Sequence, residues 1–522
     1  MKTNLFGRTG LGLLLLIAIA TAPLSAQEES KPKAKPKADK QTEKESDSDK
    51  SSLLAIVGGD IHTVTGAVIR QGTVLVQDGK ILDVGQSITV PDDATVIDAT
   101  GKTITPGFVA ISMRGVGLRG APGQRAKLAD ALDPYDRNIK YSLGIGITSG
   151  CIEMTTGRGR RGRRGAIEGE PDEIFPGLEE PIEEYLTEEM LDYGDEDTAL
   201  CPCCGLPVIP TEPITPAPPT RAQPRKMAVL KMSFGNLDAM LMKENAFYSP
   251  APGALNGAMQ RHNWRVELRK TKEAIEKEAK EKEKKPSATA GSRRGGGDGK
   301  AAASNSGATA NRAARGTRSR VNQELVKLLK REVAMRIRAN TVDEIRDMVD
   351  MAKELGYDII IEGGIEAWVL GQELGASDVS VIYTPRQRRS AQPGRKENSG
   401  SFIESPRIFQ ESGVPFAIAT LGNTISMGGL AGRDLTSLPL EAAFSVRGGA
   451  DEQTALEAIT IVPARMLGLD DRIGSIEKGK DADLLILNGS PLDYRTYVEQ
   501  AIVAGKVSYE RSTDRIYPVD DE

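Results

Sequence analysis

The 522-residue chain is long enough for about two domains, or for one large barrel with a small companion domain. Its hydrophobic content of 39% suffices for a packed core, while 55 glycines and only 4% aromatic residues point to long turn-rich stretches. A net charge of −5 excludes a global argument for nucleic acid or an anionic membrane, although acidic and basic residues are strongly segregated along the chain.

At the N-terminus, Lys2 and Arg8 precede the apolar run at residues 11–20, and Leu24-Ser25-Ala26 offers a small residue for cleavage before Gln27. The run is shorter than the about 20 residues of a membrane span, so residues 1–26 read as a signal peptide. The expectation is a protein exported to the periplasm or the medium, with no transmembrane anchor. Gln27 stands where a lipoprotein signal would need cysteine, so no lipid anchor is expected. Residues 27–51 are Lys, Glu, Ser, Asp and Pro with almost no apolar content, the composition of a disordered linker.

From residue 52 the pattern changes to short β runs. Leu54-Ala55-Ile56-Val57 ends at Gly58-Gly59, and Thr73-Val74-Leu75-Val76 leads through Asp78-Gly79 into Ile81-Leu82-Asp83-Val84, a hairpin signal. Thr95 to Asp98 is a further strand. Next comes Thr105-Pro106-Gly107-Phe108-Val109-Ala110-Ile111-Ser112-Met113-Arg114. Later strands are expected at Ile145-Gly146-Ile147-Thr148, Met227 to Met232, Asp358 to Ile361, Val379 to Tyr383 and Pro415 to Ala419. Asn340 to Leu355 has helical apolar spacing, as does Ala455 to Leu467. Repeated strand–helix units argue for a parallel barrel.

Two segments interrupt this order. Residues 155–224 open with the basic run 158–164, pass through acidic residues 179–197 and finish Pro-rich; residues 270–320 begin as a charged helix and end in Gly, Ser, Ala and Arg. Both read as solvated insertions, with polyanion binding by the Arg/Gly run as the alternative. Cys201-Pro202-Cys203-Cys204-Gly205 is half of a zinc-knuckle pattern. Cys151 is the chain's one other cysteine, so a disulfide or an inert loop is the stronger reading.

The Pro106-Gly107 strand, the Gly146-Ile147-Thr148 strand and the C-terminal block from Asp471-Arg472-Ile473-Gly474 through Lys478-Gly479-Lys480-Asp481-Ala482-Asp483 to Leu484-Leu485-Ile486-Leu487 resemble the amidohydrolase superfamily, in its imidazolonepropionase and dihydroorotase-like branch. The resemblance implies an α/β fold: a (β/α)8 TIM-type barrel at residues 106–468, with a composite β-sandwich from residues 52–105 and 469–518. It also implies metal-dependent hydrolysis of non-peptide C–N bonds, in which the metal, usually zinc, activates water.

The family's metal ligands are missing. In the family, Asp-x-His-x-His follows the Pro-Gly strand; here those positions hold Ala110, Ser112 and Arg114. Lys231 takes the place of a fourth-strand lysine, Arg338 and Gly363 fall in histidine slots of strands five and six, and Leu421 falls in the slot of the eighth-strand Asp. With only two histidines in the chain, His62 and His262, the family's four-histidine site cannot be assembled.

The zinc is therefore expected to be absent, and the protein to be a degenerate binding or interaction protein. Arg114 and Arg338 are candidates for holding a small anionic ligand in the barrel mouth, with Arg338 pairing internally to Glu362 as the alternative. A hydrolase working without metal would have to draw on Lys231, Glu362 or Ser112, and a serine nucleophile needs a base within reach. No Walker loop, dinucleotide fingerprint or Gly-x-Ser-x-Gly elbow is present.

Overall fold

The computed structural model describes residues 53–119, 128–154, 224–251, 254–255, 257–283, 322–391, 399–422, 424–425 and 438–514. The expected signal peptide and linker, the basic run 158–164, Cys201, Cys203, Cys204 and most of both insertions lie outside them.

The β-branched runs near the two ends of the chain build one sheet. Its strands are β1 (Leu53–Ile61), β2 (Ile69–Gln77), β3 (Lys80–Gly85), β4 (Thr95–Asp98), β5 (Thr103–Pro106), β14 (Leu484–Leu487), β15 (Val498–Val503) and β16 (Lys506–Glu510). They lie in the order β16-β15-β14-β5-β1-β2-β3, with β4 pairing to β1. Antiparallel pairing of β5 with β14, Thr105 opposite Leu485, joins the N- and C-terminal contributions. Asp78 and Gly79, both at positive φ, make the tight turn between β2 and β3. Ile56, Val74, Ile104, Leu484 and Ile502 pack as its core.

The middle of the chain gives two four-stranded sheets. One comprises β6 (Phe108–Met113), β7 (Ile147–Met154), β8 (Lys226–Lys231) and β9 (Leu241–Lys243); the other comprises β10 (Met335–Ala339), β11 (Ile359–Gly363), β12 (Ser380–Tyr383) and β13 (Phe416–Ile418). Bridges Tyr248–Met335 and Arg114–Thr424 join their edges, so eight strands form a ring. Val109, Ile111, Cys151, Met227, Val229, Phe247, Ile360, Ile382 and Ala417 pack together as its inner filling. Gly107 is fixed by close approach: a Cβ there would stand 1.9 Å from the Thr148 hydroxyl.

The expectation of an all-parallel ring fails at one strand. β6 and β7 are parallel, as are β10 to β13, but β8 runs antiparallel to β7 and to β9. About 70 residues separate β7 from β8 in the sequence, long enough for the chain to enter β8 from either end of the ring. Arg225 consequently lies at the mouth of the barrel and Lys231 at its base.

Helices follow the expected apolar spacing, with one correction. Val342–Leu355 begins with a capping box, in which Thr341 and Glu344 satisfy each other's backbone N–H, and ends at Gly356 with φ 79°. Replacing Thr341 with alanine is expected to cost about 1 kcal/mol by urea denaturation, and an unchanged midpoint would show that the box carries no weight. The single helix expected over Ala455 to Leu467 is two, Glu452–Glu457 and Ile461–Leu467. The break has a use: the carbonyls of Ala458 and Ile459 accept from the N–H groups of Ile418 and Val109, tying β13 to β6 where the ring closes. Among the described residues no helix is long and apolar enough to cross a membrane.

Candidate functional site

Where the C-terminal ends of the parallel strands open, a cavity of about 280 Å3 is lined by Ser112, Arg114, Glu153, Arg225, Arg336, Arg338, Glu362, Thr384, Gln387, Thr420 and Leu421 among others. Four of the five candidates from sequence meet here: Ser112, Arg114, Arg338 and Glu362. Lys231 does not.

The charges form an alternating chain. Arg114 pairs with Glu153, and Arg225 lies 3.9 Å from the same carboxylate. Arg225 also reaches Glu362 at 2.9 Å, and Arg336 binds Glu362 at 2.9 Å from the other side. Arg225 is braced by the Ser249 hydroxyl at 2.9 Å. Arg336 is 1% exposed, donates to the Ile111 carbonyl at 2.8 Å and stands over the Phe247 ring. Burial alone would raise the Glu362 carboxyl, but the Arg336 and Arg225 guanidiniums prevail and hold it at about 2.

Arg338 differs from its neighbour. Strand alternation places Arg336 and Arg338 on one face of β10, yet Arg338 is exposed and makes no ion pair or hydrogen bond among the described residues. The expected internal pair of Arg338 with Glu362 is thus not formed; Arg336 and Arg225 take that carboxylate instead. At the other end of the charge chain, the Arg114 Nε is buried without an acceptor.

Lys231 is corrected as a site residue. It is 2% exposed at the barrel base, 2.7 Å from Asp481 and 2.9 Å from Asp483. This ion cluster joins β8 to the start of β14, because the reversal of β8 carries its C-terminal end away from the mouth. Glu362 lies in the mouth as expected, where it is paired with Arg225 and Arg336, and these guanidiniums hold its carboxyl down at about 2. Ser112 lines the cavity; among the described residues neither an imidazole nor a lysine lines it, and both lining carboxylates are engaged by arginines.

The donor set does not suit a divalent metal. Four guanidiniums line the mouth among the described residues, and a divalent cation placed among them would be repelled. Gly363, in the strand-six slot, has φ 94°, and a Cβ there would stand 2.2 Å from the Asn340 side-chain oxygen, so no ligating side chain fits. Among the described residues no three His, Cys, Asp or Glu side chains converge as a metal group. Cys151 is packed in the barrel, and burial pushes its thiol up to about 11, away from the thiolate that a metal needs. His62, beside β1, has its pKa lowered by burial first and by Arg70, and does not line the mouth.

Sequence reasoning missed Glu153, Arg225, Arg336 and Glu441. Glu441 is fully buried; it accepts from Arg386 at 2.7 Å and from the Leu421 N–H at 3.3 Å, fixing the rim where Leu421 lies exposed. Leu421 itself offers no ligand atom in its side chain, as read from sequence. A usable signal for Glu153 was present, because it is a charge embedded in the apolar strand Ile147–Met154.

Residues 372–510 match the amidohydrolase family. That stretch, well under half of the chain, is what the sequence shares with the amidohydrolase family. Distant relatives of the chain include a dihydroorotase of Anaeromyxobacter dehalogenans, 40% identical over 106 residues, or 20% of this chain and 22% of that protein. An imidazolonepropionase of Fusobacterium nucleatum is 27% identical over 175 residues, covering 30% of this chain and 40% of that one. The chain therefore spans well under half the length of these relatives. An amidohydrolase structure from Thermotoga maritima superposes with a TM-score of 0.56 at 21% identity, covering 88% of this chain and 100% of that one. The shared fold is a TIM barrel with a composite β-sandwich.

Proposed function

We propose that this amidohydrolase-fold protein has exchanged metal-dependent hydrolysis of non-peptide C–N bonds for binding of a small anion in the barrel mouth. The observation that carries the reading is the charge chain Arg114–Glu153–Arg225–Glu362–Arg336, which fills the position of a metal centre with guanidiniums and leaves Arg338 over. Guanidinium forks recognise carboxylate and phosphate, and a partly enclosed cavity strengthens that attraction over its value in water. Export through the N-terminal segment, and contact of the Arg/Gly insertion with polyanions, belong to the same reading. A metal-independent hydrolase is the less favoured reading, because both carboxylates that line the mouth among the described residues are engaged by arginines.

Elemental analysis of the full chain, produced with zinc supplied, tests the loss of metal. The expected result is far less than one metal per chain, and no turnover of cyclic amides, ureas or acyl amino acids. Stoichiometric metal persisting after replacement of all 4 cysteines would overturn the reading. Calorimetric titration with a panel of small anions should show saturable binding that Arg338→Ala weakens; heat of dilution alone across the panel would equally defeat it.

A further inference from the structure

The distribution of charge around the mouth narrows the ligand, on the premise that the mouth binds anions at all. Among the described residues the cavity is lined by four guanidiniums, Arg114, Arg225, Arg336 and Arg338, and two carboxylates, Glu153 and Glu362, which leaves a surplus of two positive charges. The surplus is not uniform. Arg225 is shared between both carboxylates, and Arg336 is committed to Glu362 and the Ile111 carbonyl. Among the described residues, the donors left without an acceptor are the buried Arg114 Nε and the exposed guanidinium of Arg338. Arg114 follows β6 and Arg338 lies on β10, four strands apart in a ring of eight, so the two stand on opposite walls.

We propose that the mouth takes a short two-ended dianion, one anionic group held by Arg114 and the other by Arg338. A single small oxyanion can meet only one of two guanidiniums that stand on opposite walls. A ligand with an anionic group at each end can meet both. The cavity, about 280 Å3, is at the small end of ligand sites, which suits a short chain and excludes a polymer. Ser112, Thr384, Gln387 and Thr420 add polar groups to the lining for the body of such a molecule.

The test is calorimetry on the full chain with α,ω-dicarboxylates from malonate to pimelate, monocarboxylates of matching length, inorganic phosphate and sulfate. One dicarboxylate length should bind best, about tenfold or more tighter than its monocarboxylate partner, as expected for one further charge-assisted contact. Arg114→Ala and Arg338→Ala should each bring that dicarboxylate down to the monocarboxylate level. Arg338→Ala should also leave the thermal midpoint unchanged, since its side chain is exposed and unpaired among the described residues. Phosphate or sulfate binding as tightly as the best dicarboxylate, or affinity independent of chain length, would overturn the two-ended ligand while leaving anion binding intact. Absence of binding by every anion would remove both.

Discussion

Replacing Lys231 with alanine is expected to destabilise the protein by about 3–5 kcal/mol, the cost of breaking a buried ion pair by removing one partner. The ammonium is 2% exposed and is shared by Asp481 and Asp483. Among the described residues, Asp481 keeps Lys80 at 3.1 Å and Arg472 at 2.7 Å, whereas the Asp483 side chain keeps the Ala504 N–H at 2.8 Å alone. The damage therefore falls on Asp483, and the double change Lys231→Met with Asp483→Leu should recover much of the loss. Urea denaturation reads the effect, and a loss under about 1 kcal/mol would show that the cluster does not hold the barrel to the sandwich. Burial raises the Asp481 carboxyl, but Lys231, Lys80 and Arg472 outweigh it and bring it from 3.8 to about 2. Its contribution is accordingly present above pH 4 and lost as pH falls from about 4 to about 2.

Glu362→Ala should cost about 3–5 kcal/mol for the same reason, because it leaves the buried Arg336 guanidinium without its carboxylate. Glu362→Gln retains an acceptor and should cost less. This separates the two readings of Glu362. A catalytic base would lose turnover with little loss of stability, whereas a charge-chain member loses stability. The parent protein should lose stability as pH falls from 4.5 through about 2, where Glu362 protonates. A flat stability profile across that interval would contradict the paired carboxylate. Because Asp481 titrates over nearly the same interval, acid unfolding should be steep there.

Much of the fold was legible from local signals: the Asp78-Gly79 turn, the Pro106-Gly107 strand and the Thr341–Glu344 cap are short-range devices whose residues sit together in sequence. The direction of β8 was not. Apolar alternation is the same read forwards or backwards, so Lys-Met-Ala-Val-Leu-Lys fixes a strand without saying which end faces the mouth. At the site, Arg114 and Arg338 were found because they occupy family positions. Arg336 was overlooked although it shares a face with Arg338, since nothing in a period of two tells which of two arginines the next strand's glutamate will choose. Arg225 was hidden by its place at the edge of an insertion. The split at Ala458–Thr460 was equally unreadable, because its carbonyls answer to N–H donors distant in sequence, Ile418 on β13 and Val109 on β6.

The reversal of β8 also limits what can be carried along this chain from its relatives. Arg225 and Lys231 bracket the strand six residues apart, about 20 Å in extended backbone, and both point into the barrel. One cation is pinned at the rim by Glu362 and the other at the floor by Asp481 and Asp483. The strand is bolted at both ends. A role assigned by counting from the start of a parallel strand would thus land at the opposite pole of the barrel, on a residue that secures the floor. For this chain, correspondence has to be drawn through space, from rim to rim.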